Sequence, residues 1–145
     1  MIREKTIDHV LRATWKAVTK LYNEEAGKHD FTMAMAMALL YIDHENGTPS
    51  TALGPSMGME ATSLSRILKN LEDKGFIYRR KNPNDGRSVF LKLTESGKKM
   101  REISKKSVYT FNETIRKNIA EEKINNFFEV TDMINKLIDE KSFFE

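Results

Sequence analysis

Ile7, Leu11, Thr14, Val18 and Leu21 are spaced four, three, four and three apart, a heptad-like stripe that predicts an amphipathic first helix. It should end near "AGKHD", with Gly27 as its C-cap. Thr32 is placed to N-cap a second helix, "MAMAMALLYI". Met33, Met35 and Met37 alternate with period two, as a strand would. Met and Ala are strong helix formers without β-branching, so the stretch is expected to be a buried helix. "HENGTPS" reads as loop. A short helix should follow, capped by Ser50 or Thr51 and ending near Met57–Gly58. Pro55 then falls close to its first turn, where most N–H groups lack partners anyway.

The next helix, "EATSLSRILKNLEDKG", closes at Gly75. After it come "FIYRRKN", the turn "PNDG", and "RSVFLKL", in which Val89, Leu91 and Leu93 alternate as in a strand. Thr94 should cap a long helix with apolar positions at Met100, Ile103, Phe111 and Ile115. A last helix carries Ile124, Phe127, Phe128, Ile134, Leu137 and Ile138. The expected order is four helices, a hairpin and two long helices.

Placed at 100° per residue, "TSLSRILKNLE" divides into two faces. Leu64, Ile67, Leu68 and Leu71 converge and must face a core. Thr62, Ser65, Arg66 and Lys69 lie opposite, with Ser63 beside them and no acid until Asp73. Hydroxyls, a guanidinium and an ammonium suit phosphate oxygens and base edges in a major groove. Any solvated helix can present such a face, so the neighbours decide. A short helix and tight turn precede it and a basic hairpin follows, the order of a winged helix-turn-helix. In that reading Arg79, Arg80 and Lys81 line one strand of the wing near the DNA backbone. Arg87 stands beside the tip, suited to a narrow minor groove, and Asp85 could hold the turn and that arginine in place.

Charge supports the same segment. Residues 60–92 hold eight Lys and Arg against four Asp and Glu, whereas residues 93–145 hold ten of each. Residues 1–31 hold six against five, and residues 32–59 hold none against two. The net charge of +3 is therefore concentrated where the hairpin lies, which points to a polyanion partner. With 39% hydrophobic and 31% charged residues the 145-residue chain suits one globular domain. Zero cysteines exclude disulfides and thiol chemistry and suit a reducing cytoplasm. "MIREKTIDH" lacks the apolar region of a signal peptide, and the longest apolar run, Met33 to Ile42, is too short to span a bilayer. A cytoplasmic protein without membrane contact is the expectation.

"TSLSRILKNLEDKGFIYRRKNPNDGRSVFLKLTESGKKM" closely resembles the core of MarR-family transcription regulators. The matching features are Leu71–Glu72 with Gly75, Arg79 ending a strand, Asp85 with Arg87 in the wing, and Leu93–Thr94 with Gly97. The flanking helices match in order and length, so the resemblance covers nearly the whole chain. It departs at "ALGPSMG", where Gly54 and Pro55 replace more helix-favouring residues. The resemblance implies a mainly α fold with a small β-wing: residues 32–94 form the winged helix-turn-helix lobe, and residues 1–31 and 95–145 supply dimerisation helices.

Apolar residues on the terminal helices, including Phe111, Phe127, Phe128, Phe143 and Phe144, need partners. A homodimer would space two recognition helices about one DNA turn apart, roughly 34 Å. The expected function is a sequence-specific regulator that represses by occupying a pseudo-palindromic site on double-stranded DNA. The resemblance also implies a site for a phenolic or aromatic-acid effector that lowers DNA affinity. Trp15, Met33, Met37 and Tyr41 could line it, with Arg12 or Lys16 as carboxylate anchor, although a Met-rich stripe also suits plain core.

No cofactor or metal is expected. The sequence has no nucleophile elbow, P-loop or dinucleotide fingerprint, and an enzyme is not expected. Its histidines, His9, His29 and His44, form no H-x-x-x-H pair, although His44 with Asp43 and Glu24 can be imagined around zinc. The alternative is a winged-helix module that binds protein or RNA, with the basic segment serving solubility. A steep fall of affinity with salt distinguishes the DNA-binding reading.

Overall fold

A computed structural model describes residues 5–84, 86 and 89–144. Among them, the chain forms α1 (Ile7–Gly27), α2 (Met33–Tyr41), β1 (Thr48–Pro49), α3 (Ser50–Met57) and α4 (Ala61–Asp73). These are followed by β2 (Ile77–Lys81), β3 (Val89–Leu93), α5 (Glu95–Asn118) and α6 (Glu121–Asp139). The chain packs as two units, Met1–Ser107 and Val108–Glu145, with the boundary inside α5. The expected mainly helical fold with a small β-wing is what forms.

The first unit is built around α2 and α4. Thr32 caps α2 as its position predicts, accepting the N–H of Met35 at 3.2 Å, and Asn23 of α1 accepts the N–H of Met33 at 2.9 Å. Met35, Ala38 and Leu39 of α2 are buried with Leu53 of α3 and Leu64, Leu68 and Leu71 of α4. Ile77, Leu91 and Leu93 close this core from the sheet. Burying each large aliphatic side chain stabilises the fold by about 1.5–3 kcal/mol. By contrast, among the described residues α1 has no buried residue, and Ile7, Leu11 and Leu21 of its heptad-like stripe are exposed. In the second unit Ile124 is buried, whereas Phe127 is 56% and Met133 53% exposed.

Four local expectations are corrected. Gly27 is the last residue of α1 but not a left-handed cap; the left-handed conformation falls on Asp30, with φ of 58°. Aspartate tolerates that region better than most side chains do. "HENGTPS" is not all loop, because Thr48 and Pro49 pair antiparallel with Leu91 and Phe90. The sheet is therefore three-stranded, ordered β1-β3-β2. Proline is admissible there because β1 is an edge strand.

The same proline, not Ser50 or Thr51, occupies the N-cap position of α3, and no side chain caps that helix. Pro55 lies in the last turn of α3 rather than the first. The helix ends just after it, with Gly58 left-handed at φ 65° and the Met59 N–H closing onto the Gly54 carbonyl at 3.0 Å. Gly54 is buried where α3 meets α4: a Cβ there would lie 3.4 Å from Leu64 Cδ2 and 3.3 Å from the Met59 carbonyl oxygen.

The approach to β1 is held by Asp43. Its carboxylate accepts the N–H groups of Glu45 at 2.9 Å and Asn46 at 3.1 Å, and these bonds hold its pKa below the usual carboxylate value.

The tightest joint lies between α4, β2 and α5. Gly75, with φ of 79°, ends α4 in a Schellman turn: Phe76 N–H reaches the Leu71 carbonyl at 2.9 Å and Gly75 N–H the Glu72 carbonyl at 3.0 Å. The Phe76 carbonyl accepts the Thr94 N–H at 3.1 Å. The Thr94 hydroxyl donates to the Gly75 carbonyl at 2.6 Å and accepts the Gly97 N–H at 3.0 Å, capping α5. A Cβ on Gly97 would fall on the Phe76 carbonyl, so only glycine fits.

These contacts give a paired stability prediction. Gly97→Ala should destabilise the fold by about 3 kcal/mol, the upper part of the usual range for overpacking. Gly27→Ala, with nothing within 4 Å of its Cβ position, should be neutral or stabilising by about 0.5 kcal/mol. Urea unfolding of both variants checks this; equal effects would contradict the packing at Gly97.

Candidate nucleic-acid interface

The joint at Gly75 fixes where α4 ends, and the core fixes which way it faces. Leu64, Leu68 and Leu71 are buried and Ile67 is part-buried, whereas Thr62, Ser63, Ser65, Arg66 and Lys69 are all exposed. The division expected from helical periodicity is therefore present in space. A short helix, α3, precedes α4, and the β2–β3 hairpin follows it within one compact unit.

The hairpin distributes its cations over two faces. Arg79 pairs with Leu91 and Lys81 with Val89, on the face that buries Ile77, while Arg80 pairs with Phe90 on the other face. All three cations are exposed. Arg79 turns back to α4, its Nε 3.4 Å from Glu72 Oε2. Lys74 is likewise engaged, with Nζ 2.9 Å from Asp30 Oδ2; that ammonium and its hydrogen bond hold the Asp30 pKa below its ordinary value. None of the ion pairs among the described residues engages Arg66, Lys69, Arg80 or Lys81. Lys74 and Arg79 of the basic segment thus brace the fold, whereas Arg66, Lys69, Arg80 and Lys81 are exposed without an ion pair among the described residues. Near the tip, Asn82 Oδ1 accepts the Asn84 N–H at 3.0 Å. Asp85 and Arg87 lie outside the described residues.

Comparison with known proteins places this geometry. Residues 31–89, from just before α2 to the first residue of β3, match the sequence profile of the MarR family. The regulator SarZ of Staphylococcus haemolyticus is 34% identical over 88 residues, covering 61% of this chain and 60% of that protein. SarZ of Staphylococcus aureus is 29% identical over 123 residues, 84% of this chain and 77% of that protein. Over residues 31–89 the chain is similar to the MarR family of winged-helix transcription regulators. The fold agrees along almost its full length with that of S. aureus MepR, solved in complex with DNA. The TM-score is 0.83 at 23% identity, covering 91% of this chain and 98% of MepR. The match to the S. haemolyticus relative spans less than two thirds of that protein.

MarR-family regulators are non-enzymatic DNA-binding proteins. The remaining residues singled out in the sequence fall elsewhere in the chain. Arg12, Trp15 and Lys16 are exposed on α1, with Trp15 57% accessible, and Tyr41 is exposed at the end of α2. Met33 and Met37 are part-buried on α2. Of the imagined zinc ligands, Asp43 already accepts two backbone N–H groups, and His44 lies 3.7 Å from Glu45. Among the described residues no group of three His, Asp or Glu could hold a metal ion, and no helix is long and apolar enough to cross a membrane.

The sequence reading missed the Asp30–Lys74 and Glu72–Arg79 pairs. The second carried a signal, since both residues belong to the family-like motif. The first joins residues 44 apart and carried none.

Proposed function

We propose that the chain is a homodimeric, sequence-specific DNA-binding regulator. In this reading α4 enters the major groove and the β2–β3 wing lies along the flanking backbone. The observation that carries it is the outward face of α4: Thr62, Ser63, Ser65, Arg66 and Lys69 are exposed, and no ion pair among the described residues occupies its two cations. Arg66 presents a planar fork suited to base edges, and Lys69 a point charge suited to phosphate. Arg80 and Lys81, with Arg79 braced by Glu72, would follow the backbone. Asp85 and Arg87 are assigned to the wing tip from the sequence motif alone. The DNA-bound relative MepR supports the same partner.

Selection of bound fragments from a random duplex pool tests the reading. A recovered consensus should be pseudo-palindromic. Arg66→Ala should cost about 1–3 kcal/mol and relax the preference at one base position of each half-site. Lys69→Ala should weaken all sequences alike and reduce the salt slope by about one unit for each phosphate that the ammonium neutralises. If both variants keep wild-type affinity and preference, α4 is not the reading helix. Affinity for protein or RNA with little salt dependence would favour the interaction-module alternative.

The homodimer is supported by unburied apolar surface: α1 has no buried residue, and Phe127, Phe128, Val130 and Met133 of α6 are each about half exposed. We assign residues 1–31 and 95–145 to assembly and residues 32–94 to DNA reading. The full chain should sediment as a dimer at micromolar concentration, and removing residues 119–145 should abolish the dimer. A well-behaved full-length monomer would refute this.

Repression by occupancy of the site, relieved by a small phenolic or aromatic acid, is the finer part of the proposal. Supporting it, Trp15 is exposed on α1 with Arg12 and Lys16, and Tyr41 is exposed on α2, where Met33 and Met37 are part-buried. Trp15 is the only tryptophan in the chain and reports on that region. Salicylate, as a probe, should change its fluorescence over the same concentrations that release DNA. Release without a Trp15 response would place the effector elsewhere.

A further inference from the structure

We propose, resting on the DNA-binding reading, that Asp30 and Lys74 are positioning residues for DNA recognition. Their ion pair ties the α1–α2 turn to the C-terminal end of α4 and sets the attitude of that helix without touching DNA.

The tie has a built geometry. Lys74 is the C-cap residue of α4, and its Nζ lies 2.9 Å from Asp30 Oδ2. Asp30 holds a left-handed backbone, with φ of 58°. That turn is fastened by the Asp30 N–H to the Gly27 carbonyl at 3.2 Å and by the Phe31 N–H to the Ala26 carbonyl at 3.0 Å. The next residue, Phe31, is buried and meets Phe76 edge-on, with ring centroids 5.1 Å apart and planes at 85°. Two consecutive residues of the turn therefore grip the residues on either side of Gly75. One contact is apolar and buried. The other is ionic and exposed, with the Asp30 side chain 96% accessible and that of Lys74 34%.

Exposure separates positioning from folding. A solvent-exposed pair adds little to global stability, but α4 is a lever. Its 13 residues span roughly 20 Å at about 1.5 Å per residue. A tilt of about 5° at Lys74 would shift the first turn by roughly 2 Å, more than hydrogen bonds to base edges tolerate. Phe31 and the joint at Phe76 hold the end of α4 in place; the ionic tie limits its rotation.

The competing role for Lys74 is direct contact with phosphate, since it lies in the basic segment. The two roles predict opposite signs. If Lys74 meets phosphate, removing the Asp30 charge should tighten DNA binding. If it acts through Asp30, removing that charge should weaken it.

Asp30→Asn tests this cleanly, because asparagine also accepts the left-handed backbone; Lys74→Met keeps most of the aliphatic stem. Binding of the full-length wild type, both single variants and the double variant is measured on one duplex selected from a random pool. A salt series accompanies each measurement. Each single variant should bind about twofold to fivefold more weakly. The double should be no weaker than the worse single, and the salt slope and thermal unfolding should stay near wild type. Several outcomes would overturn the proposal: Asp30→Asn binding like wild type or more tightly, a reduced salt slope with Lys74→Met, strict additivity, or an affinity loss matched by lower thermal stability. A wild-type chain that bound no duplex would sink the DNA-binding reading and this inference together; failure of the variants alone would sink only the inference.

Discussion

The carbonyl of Phe76 lies against the backbone of Gly97, at a distance no side chain could permit. Around that contact the end of α4, the start of β2 and the start of α5 are locked together. Gly75 supplies the left-handed turn, and Thr94 bonds the Gly75 carbonyl while capping α5. The direction of α4, the exit of the wing and the departure of α5 all follow from this one crossing. It also gives a physical meaning to the family-like motif. Its two glycines provide a left-handed backbone and a close approach. Its threonine bridges two elements, and its Glu72–Arg79 pair braces the wing against α4.

The same joint organises the electrostatics. A basic segment adjoining a buried core would be costly if its cations were desolvated, and here they remain at the surface. Lys74 and Arg79 are neutralised locally, by an aspartate from the α1–α2 turn and a glutamate from α4. Their charges serve geometry. Arg66, Lys69, Arg80 and Lys81 are exposed and engage no ion pair among the described residues. A chain whose formal net charge is only +3 can in this way present a concentrated basic surface.

Much of this was legible in the sequence, for identifiable reasons. Helical periodicity divides α4 correctly because Leu64, Leu68 and Leu71 must be buried and little else in that stretch can be. Thr32 and Thr94 are visible as caps because their hydroxyls act within three residues. What stayed hidden depends on distant partners. Thr48 and Pro49 read as loop because two residues carry no alternation; their strand character comes from Leu91 and Phe90. Gly27 looked like a cap because glycine usually takes the left-handed role, yet here Asp30 takes it, facing a lysine 44 residues away. Pro55 was misplaced because the start of α3 was read one or two residues late. The bases that α4 would read are not legible, since its hydroxyls accept several partners.

The central claim is that the outward face of α4 reads the major groove, once from each protomer of a dimer. Methylation interference at guanine N7, an atom exposed only in the major groove, tests it most directly on a duplex recovered by selection. Binding should be blocked by methylation in two clusters about one helical turn apart, roughly 10 base pairs centre to centre. Binding that is indifferent to N7 methylation, or blocked at a single cluster, would contradict it.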